Sequence, residues 1–101
     1  MITAKSFRDK FLNSITISYD WKQSKHFAEI CLSDNNGLIS RYKIAGLNSY
    51  DVFEDFQAMY ISQCTLLIDA DRVYLSLDPY VEGTESDQDC FKFIGSQIID
   101  H

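Results

Sequence analysis

From Ser14 to Trp21 the chain alternates strictly. Ile15, Ile17, Tyr19 and Trp21 interleave with Ser14, Thr16, Ser18 and Asp20. A period of two puts the apolar set on one face of a β-strand and the polar set on the other. Residues 22–25 are a polar turn, and 26–32 resume as a strand with Ala28, Ile30 and Leu32 on one side. Asn36-Gly37 then predicts a tight hairpin, because both residues tolerate positive φ. The return strand covers 38–47, with Leu38, Tyr42 and Ile44 on one face. Residues 14–47 therefore read as a three-stranded antiparallel meander. A second hairpin follows. Residues 59–68 form one arm, Asp69-Ala70-Asp71 the turn. In the other arm Val73, Leu75 and Leu77 alternate with Tyr74, Ser76 and Asp78. Pro79 stops that arm, since it has no N–H to give to a ladder.

Two stretches carry helical spacing instead. Ala4, Phe7, Phe11 and Leu12 recur at three and four, which predicts a short amphipathic helix over 4–13 capped by Thr3. Val52, Phe53 and Phe56 follow Ser49 in the same way, with acids in the first turns. A short helix near 49–57 is the reading there. Residues 82–89 are a polar loop containing Gly83. In 90–99, Phe91 and Phe93 alternate about Lys92 and Gly95 is a poor helix former, so a sixth strand is preferred to a helix. The expected fold is α+β: an antiparallel sheet of five or six strands built from hairpins, with one or two short helices.

Composition narrows the class. The 101 residues make one domain, 1–101, with 46% hydrophobic and 14% aromatic residues, as a folded core requires. The first residues hold no apolar stretch of the kind a signal peptide needs, and no run approaches a membrane span. Cys31, Cys64 and Cys90 are odd in number and far apart, which suits reduced thiols in a cytoplasmic protein.

Charge is divided unevenly. Residues 1–49 hold seven basic and four acidic side chains, a net of +3. Residues 50–101 hold two basic and eleven acidic ones, a net of −9, and together these make the −6 of the chain. The acids gather in 78–89: Asp78, Glu82, Glu85, Asp87 and Asp89, with no basic residue between Arg72 and Lys92. The plain account of such a stretch is a solvated loop that aids solubility. The functional account is a docking surface for a basic protein. Charges of one sign speed encounter with a cationic partner. Tyr74 and Tyr80 would serve as aromatic anchors inside the charged rim. The candidate partner-binding set is thus Tyr74, Asp78, Tyr80, Glu82, Glu85, Asp87 and Asp89.

Other chemistries find little support. The acids do not follow an EF-hand register, so no metal site is assigned. His26 and His101 have no nucleophile beside them, and no Gly-rich phosphate loop or Gly-x-Ser-x-Gly elbow occurs. No cofactor is implied and catalysis is not expected. Lys5, Arg8, Lys10, Lys22 and Lys25 form a modest basic patch, but a chain at −6 repels phosphate, so nucleic acid is disfavoured.

The segments "FLNSITISYDW", "IAGLNSYDVFEDF" and "LIDADRVYLSLDPYVEG" come in that order around two hairpins and an acidic loop. In this order of elements the chain resembles the small β-rich immunity proteins encoded beside bacterial polymorphic or contact-dependent toxins. The resemblance implies a non-catalytic protein that neutralises a basic cognate toxin by steric and electrostatic blockade. It carries over no individual site residue. The alternatives are a structural or oligomeric domain, as a homodimer paired edge to edge, and a small metal-binding or enzymatic domain.

Overall fold

The computed structural model describes residues 1–52 and 59–100. Its elements in order are a single 3-10 turn (Ala4–Ser6) and strands β1 (Lys10–Asp20), β2 (Lys25–Ser33), β3 (Ile39–Leu47), β4 (Ser49–Asp51), β5 (Met59–Ile61), β6 (Thr65–Asp69), β7 (Arg72–Asp78), β8 (Cys90–Gly95) and β9 (Gln97–Asp100). Strands take 61% of the described residues and helix 3%, so the fold is all-β and the α+β expectation is corrected. No helix among these residues is long and apolar enough to cross a membrane.

The expected helix over 4–13 is replaced by the short turn and the first part of β1. A bulge interrupts β1 soon after it starts. The pairing of β1 with β2 shifts between Leu12 and Ser14. The four apolar residues also belong to two elements: Ala4 and Phe7 reach the core from the 3-10 turn and its end, while Leu12 enters the core from β1 and its neighbour Phe11 packs on Tyr60 instead. Of the expected helix near 49–57, Ser49–Asp51 is strand β4. The part over 53–58 lies outside the described residues. Leu38, expected on one face of the return strand with Tyr42 and Ile44, precedes β3 and is 68% exposed.

The strands form two antiparallel sheets rather than one. Their orders are β5-β1-β2-β3-β9 and β4-β8-β7-β6. Three stretches of chain pass from one sheet to the other. β3 runs on into β4 through Asn48, β8 into β9 through Ser96, and β5 into β6 through residues 62–64. Read through these bends, the ladders close a circuit of six long strands among the described residues. Closure hides most strand edges.

Glycines permit the sharpest bend. Gly46 has φ +60, and a Cβ there would lie 2.4 Å from Ser96 Oγ. A Cβ on Gly95 would lie 2.6 Å from Ile44 Cγ2 and 2.9 Å from the Ala45 carbonyl oxygen. Only residues without Cβ let the two bent strands cross this closely.

Inside, Leu12, Ile30, Leu32, Ile44, Ile61, Leu75 and Phe93 are fully buried in one cluster. Phe7 reaches this cluster from the N-terminal turn, with its ring 4.7 Å from that of Tyr42. Burying such a ring contributes about 2 kcal/mol, which ties the N-terminal segment to the core.

A candidate docking loop

β7 should show one polar and one apolar face. Instead Val73, Tyr74, Leu75, Ser76 and Leu77 are all buried. The cause is the loop over 79–89, which folds back across the outer face of β7. Pro79 ends the strand, the Asp78–Cys90 backbone pair closes the neck, and the loop returns at β8. Ser76 Oγ donates to the Cys90 carbonyl at 2.8 Å, and Tyr74 OH donates to the Ser86 carbonyl at 3.2 Å.

Two carboxylates hold the loop from within. Asp89 is 2% exposed. Its Oδ1 accepts the Tyr80 N–H at 2.8 Å, and its Oδ2 accepts the Ser86 N–H at 3.0 Å and the Tyr74 hydroxyl. Burial alone would raise the pKa of Asp89. The bonds from Tyr74, Tyr80 and Ser86 outweigh it, and the carboxyl is held below its ordinary value. Tyr74 moves the other way: burial first, then the bond to Asp89, push its hydroxyl far above the usual phenol range.

Glu82 is the second holding point. Its Oε2 accepts the Cys64 N–H at 2.9 Å, while Arg8 Nη1 reaches both carboxylate oxygens at 3.0 and 3.1 Å. The Cys64 bond, then Arg8, hold its pKa below the ordinary glutamate value. Beside it the Gly83 N–H donates to Oγ1 of the buried Thr65 at 2.9 Å. Gly83 has φ +89, a conformation that favours glycine. Turn bonds from Thr84 N to the Val81 carbonyl and from Asp89 N to the Ser86 carbonyl complete the scaffold.

The seven sequence candidates therefore separate into three groups. Tyr74 and Asp89 point inward and hold the loop. Glu82 and Glu85 are exposed in part and already paired, the latter with Arg72 through two bonds of 2.9 and 2.8 Å. The bond from Arg72 keeps the pKa of Glu85 low, but a pair so open to water stabilises little. Asp78, Tyr80 and Asp87 face solvent, Tyr80 with 66% of its surface. Neither Asp78 nor Asp87 makes an ion pair among the described residues. Val81, at 53% exposed, joins Tyr80 on the crest and was not singled out from sequence. Arg8, Cys64 and Thr65 were also missed as anchors. They lie 74 and about 18 residues from their loop partners, and no local pattern marks them.

A shallow cleft of about 380 Å³ is lined by Tyr74, Glu85, Ser86, Asp87, Lys92 and Ile94. Its charged lining is mixed: Lys92 faces Asp87 and Glu85 there, and Glu85 is already paired with Arg72. Cys64 lies behind Glu82, where burial, then the glutamate charge, push its thiol up to about 12. It is neutral and inert at physiological pH. Among the described residues no group of three or more His, Cys, Asp or Glu is arranged to hold a metal ion. No protein family, curated protein or solved structure matches the chain.

Proposed function

We propose that the chain is a non-catalytic binding domain that docks a basic protein through the crest of the 79–89 loop. The observation that carries this reading is the division of labour within the loop. Asp89 and Glu82 fix its backbone from below, while Tyr80 and Val81 stand exposed between the free carboxylates of Asp78 and Asp87. A solvated spacer needs no such internal bonding. A loop already held in one conformation loses little entropy when a partner covers it. An exposed tyrosine offers a rigid contact area with a polar tip, and the carboxylates around it steer a cationic surface into place. The action is blockade: the partner's basic face is covered and its charge opposed. A basic bacterial toxin is the partner class that the order of elements suggests.

The test is affinity capture from the native cell extract with three baits: wild type, the double variant Tyr80→Ser/Val81→Ser, and Leu67→Ser as a surface control. Wild type and the control should retain the same basic protein, and the double variant should lose it. Association of the purified pair should slow about tenfold as salt rises from ~0.05 to ~0.5 M, because exposed charges are then screened within a few ångströms. Retention by the double variant, or a salt-independent association rate, contradicts the proposal.

A further inference from the structure

Residues 3–8, ahead of β1, join no β-ladder among the described residues. Their backbone bonds are internal: the N–H of Ser6 donates to the Thr3 carbonyl, and those of Phe7 and Arg8 to the Ala4 carbonyl. Pairing with the sheet starts at Asp9, whose N–H donates to the Ile61 carbonyl at 2.7 Å. Side chains therefore hold this stretch to the rest of the molecule. Phe7 is fully buried in the core, and Ala4 packs against the same cluster. Arg8 meets Glu82. Asp9 then takes φ +63, a left-handed conformation that aspartate tolerates better than most residues. A segment tied in this way can come away as a unit, bending at Asp9, without breaking a strand pairing.

Glu82 is where the segment meets the docking loop. One carboxylate takes Arg8 from the segment and the Cys64 N–H from the stretch between β5 and β6. Next to it the Gly83 N–H is bonded to Thr65. With Arg8 withdrawn, the Glu82 side chain, already 30% exposed, is left with the Cys64 N–H alone and can turn to water. We infer that residues 3–9 are a strap that holds the 79–89 loop in its docking shape. Phe7 seats the strap, Arg8 is the positioning residue, and Glu82 carries the effect into the loop. Coupling of this kind is reciprocal, so loosening the loop at Glu82 loosens the strap in turn. Its bearing on function rests on the docking role of the loop, whereas the coupling is read in the free chain. Either can fail while the other stands.

Amide hydrogen exchange of the whole chain tests this residue by residue. Phe7→Leu should speed exchange at Cys64 and Gly83 about tenfold, although neither amide bonds to Phe7. Arg8→Gln, at a part-exposed residue that leaves the core intact, should speed both about fivefold. Glu82→Gln keeps an oxygen for the Cys64 N–H, and it should speed Phe7 and Arg8 about fivefold. Arg8→Lys keeps the positive charge and should restore most of the protection, which a loss of packing alone does not predict. Ile30 and Ile44, in central strands, report global unfolding, and each increase is counted beyond theirs. Increases at Cys64 and Gly83 no larger than those at Ile30 and Ile44 overturn the inference. So do unchanged Phe7 and Arg8 amides in Glu82→Gln, or Arg8→Lys exchanging as fast as Arg8→Gln.

Discussion

Replacing Asp89 with alanine is expected to destabilise the fold by about 2–4 kcal/mol, a fall in melting temperature on the order of 10–20 °C. Three donors converge on this carboxylate: the N–H groups of Tyr80 and Ser86 and the hydroxyl of Tyr74. Truncation leaves the N–H groups of Tyr80 and Ser86 without an acceptor under the folded loop, and Tyr74 with the Ser86 carbonyl alone. Asp89→Asn should fall between. Its oxygen still accepts from Tyr80, but its amide group turns a donor toward the Ser86 N–H. The pH dependence follows from the directions of the shifts. The folded pKa of Asp89 is lower than its unfolded value, so the unfolded chain binds the proton more tightly. Its contribution is complete above the ordinary aspartate value near ~4 and is lost as pH falls through the lower folded value. Tyr74 is the mirror case. Its folded pKa is raised, so its contribution is present below ~10 and is lost as pH rises beyond that. Urea titrations from acid to alkaline pH should show both flanks in wild type. In Asp89→Ala the acid flank should flatten. A variant within about 0.5 kcal/mol of wild type would mean that the carboxylate is not the loop's holding point.

Gly95→Ala should cost about 2–3 kcal/mol. The new methyl would meet Ile44 Cγ2 at 2.6 Å and the Ala45 carbonyl oxygen at 2.9 Å. A side chain can turn away, but the carbonyl belongs to the β3 backbone at the bend and cannot move without parting the two sheets. Gly37→Ala is the control. It has φ +82 but open space around its Cβ position, so only the conformational strain of about 1 kcal/mol applies. Thermal melts should rank Gly95→Ala well below Gly37→Ala. Equal melting points would contradict the close crossing of β3 and β8.

What was legible in the sequence was local. The strict alternation over 14–21 and the Asn36-Gly37 turn gave the first meander. The alternation of Phe91 with Phe93 about Lys92 marks β8, though the single strand expected over 90–99 divides at Ser96 into β8 and β9 in different sheets. What was not legible depends on contacts between distant residues. Ala4 and Phe7 in the N-terminal turn and Phe11 and Leu12 in β1 stand at helical spacing by coincidence, because each pair meets its own distant contacts. The bends at Asn48 and Ser96 are marked locally only by Gly46 and Gly95, and a glycine there reads equally well as the end of a strand. In the 79–89 loop the acids stand out in the sequence but the contacts that hold them do not. Tyr74 occupies a polar-face position on β7, and only the loop folding over it makes it interior. Glu82 looks free until Arg8 arrives from the far end of the chain. Asp78, Tyr80 and Asp87 do stand exposed, as polar and aromatic side chains around a proline-ended strand and a glycine-containing loop are expected to.

The account rests on the 79–89 loop being held in one shape before any partner arrives. Amide hydrogen exchange on the free chain reads this directly at Tyr80, Gly83 and Ser86, whose N–H groups bond to Asp89 and Thr65. Exchange at all three should be at least about a hundredfold slower than in an unstructured peptide, and Asp89→Ala should release Tyr80 and Ser86. Exchange of these amides in wild type at the rate of an open chain would contradict the account.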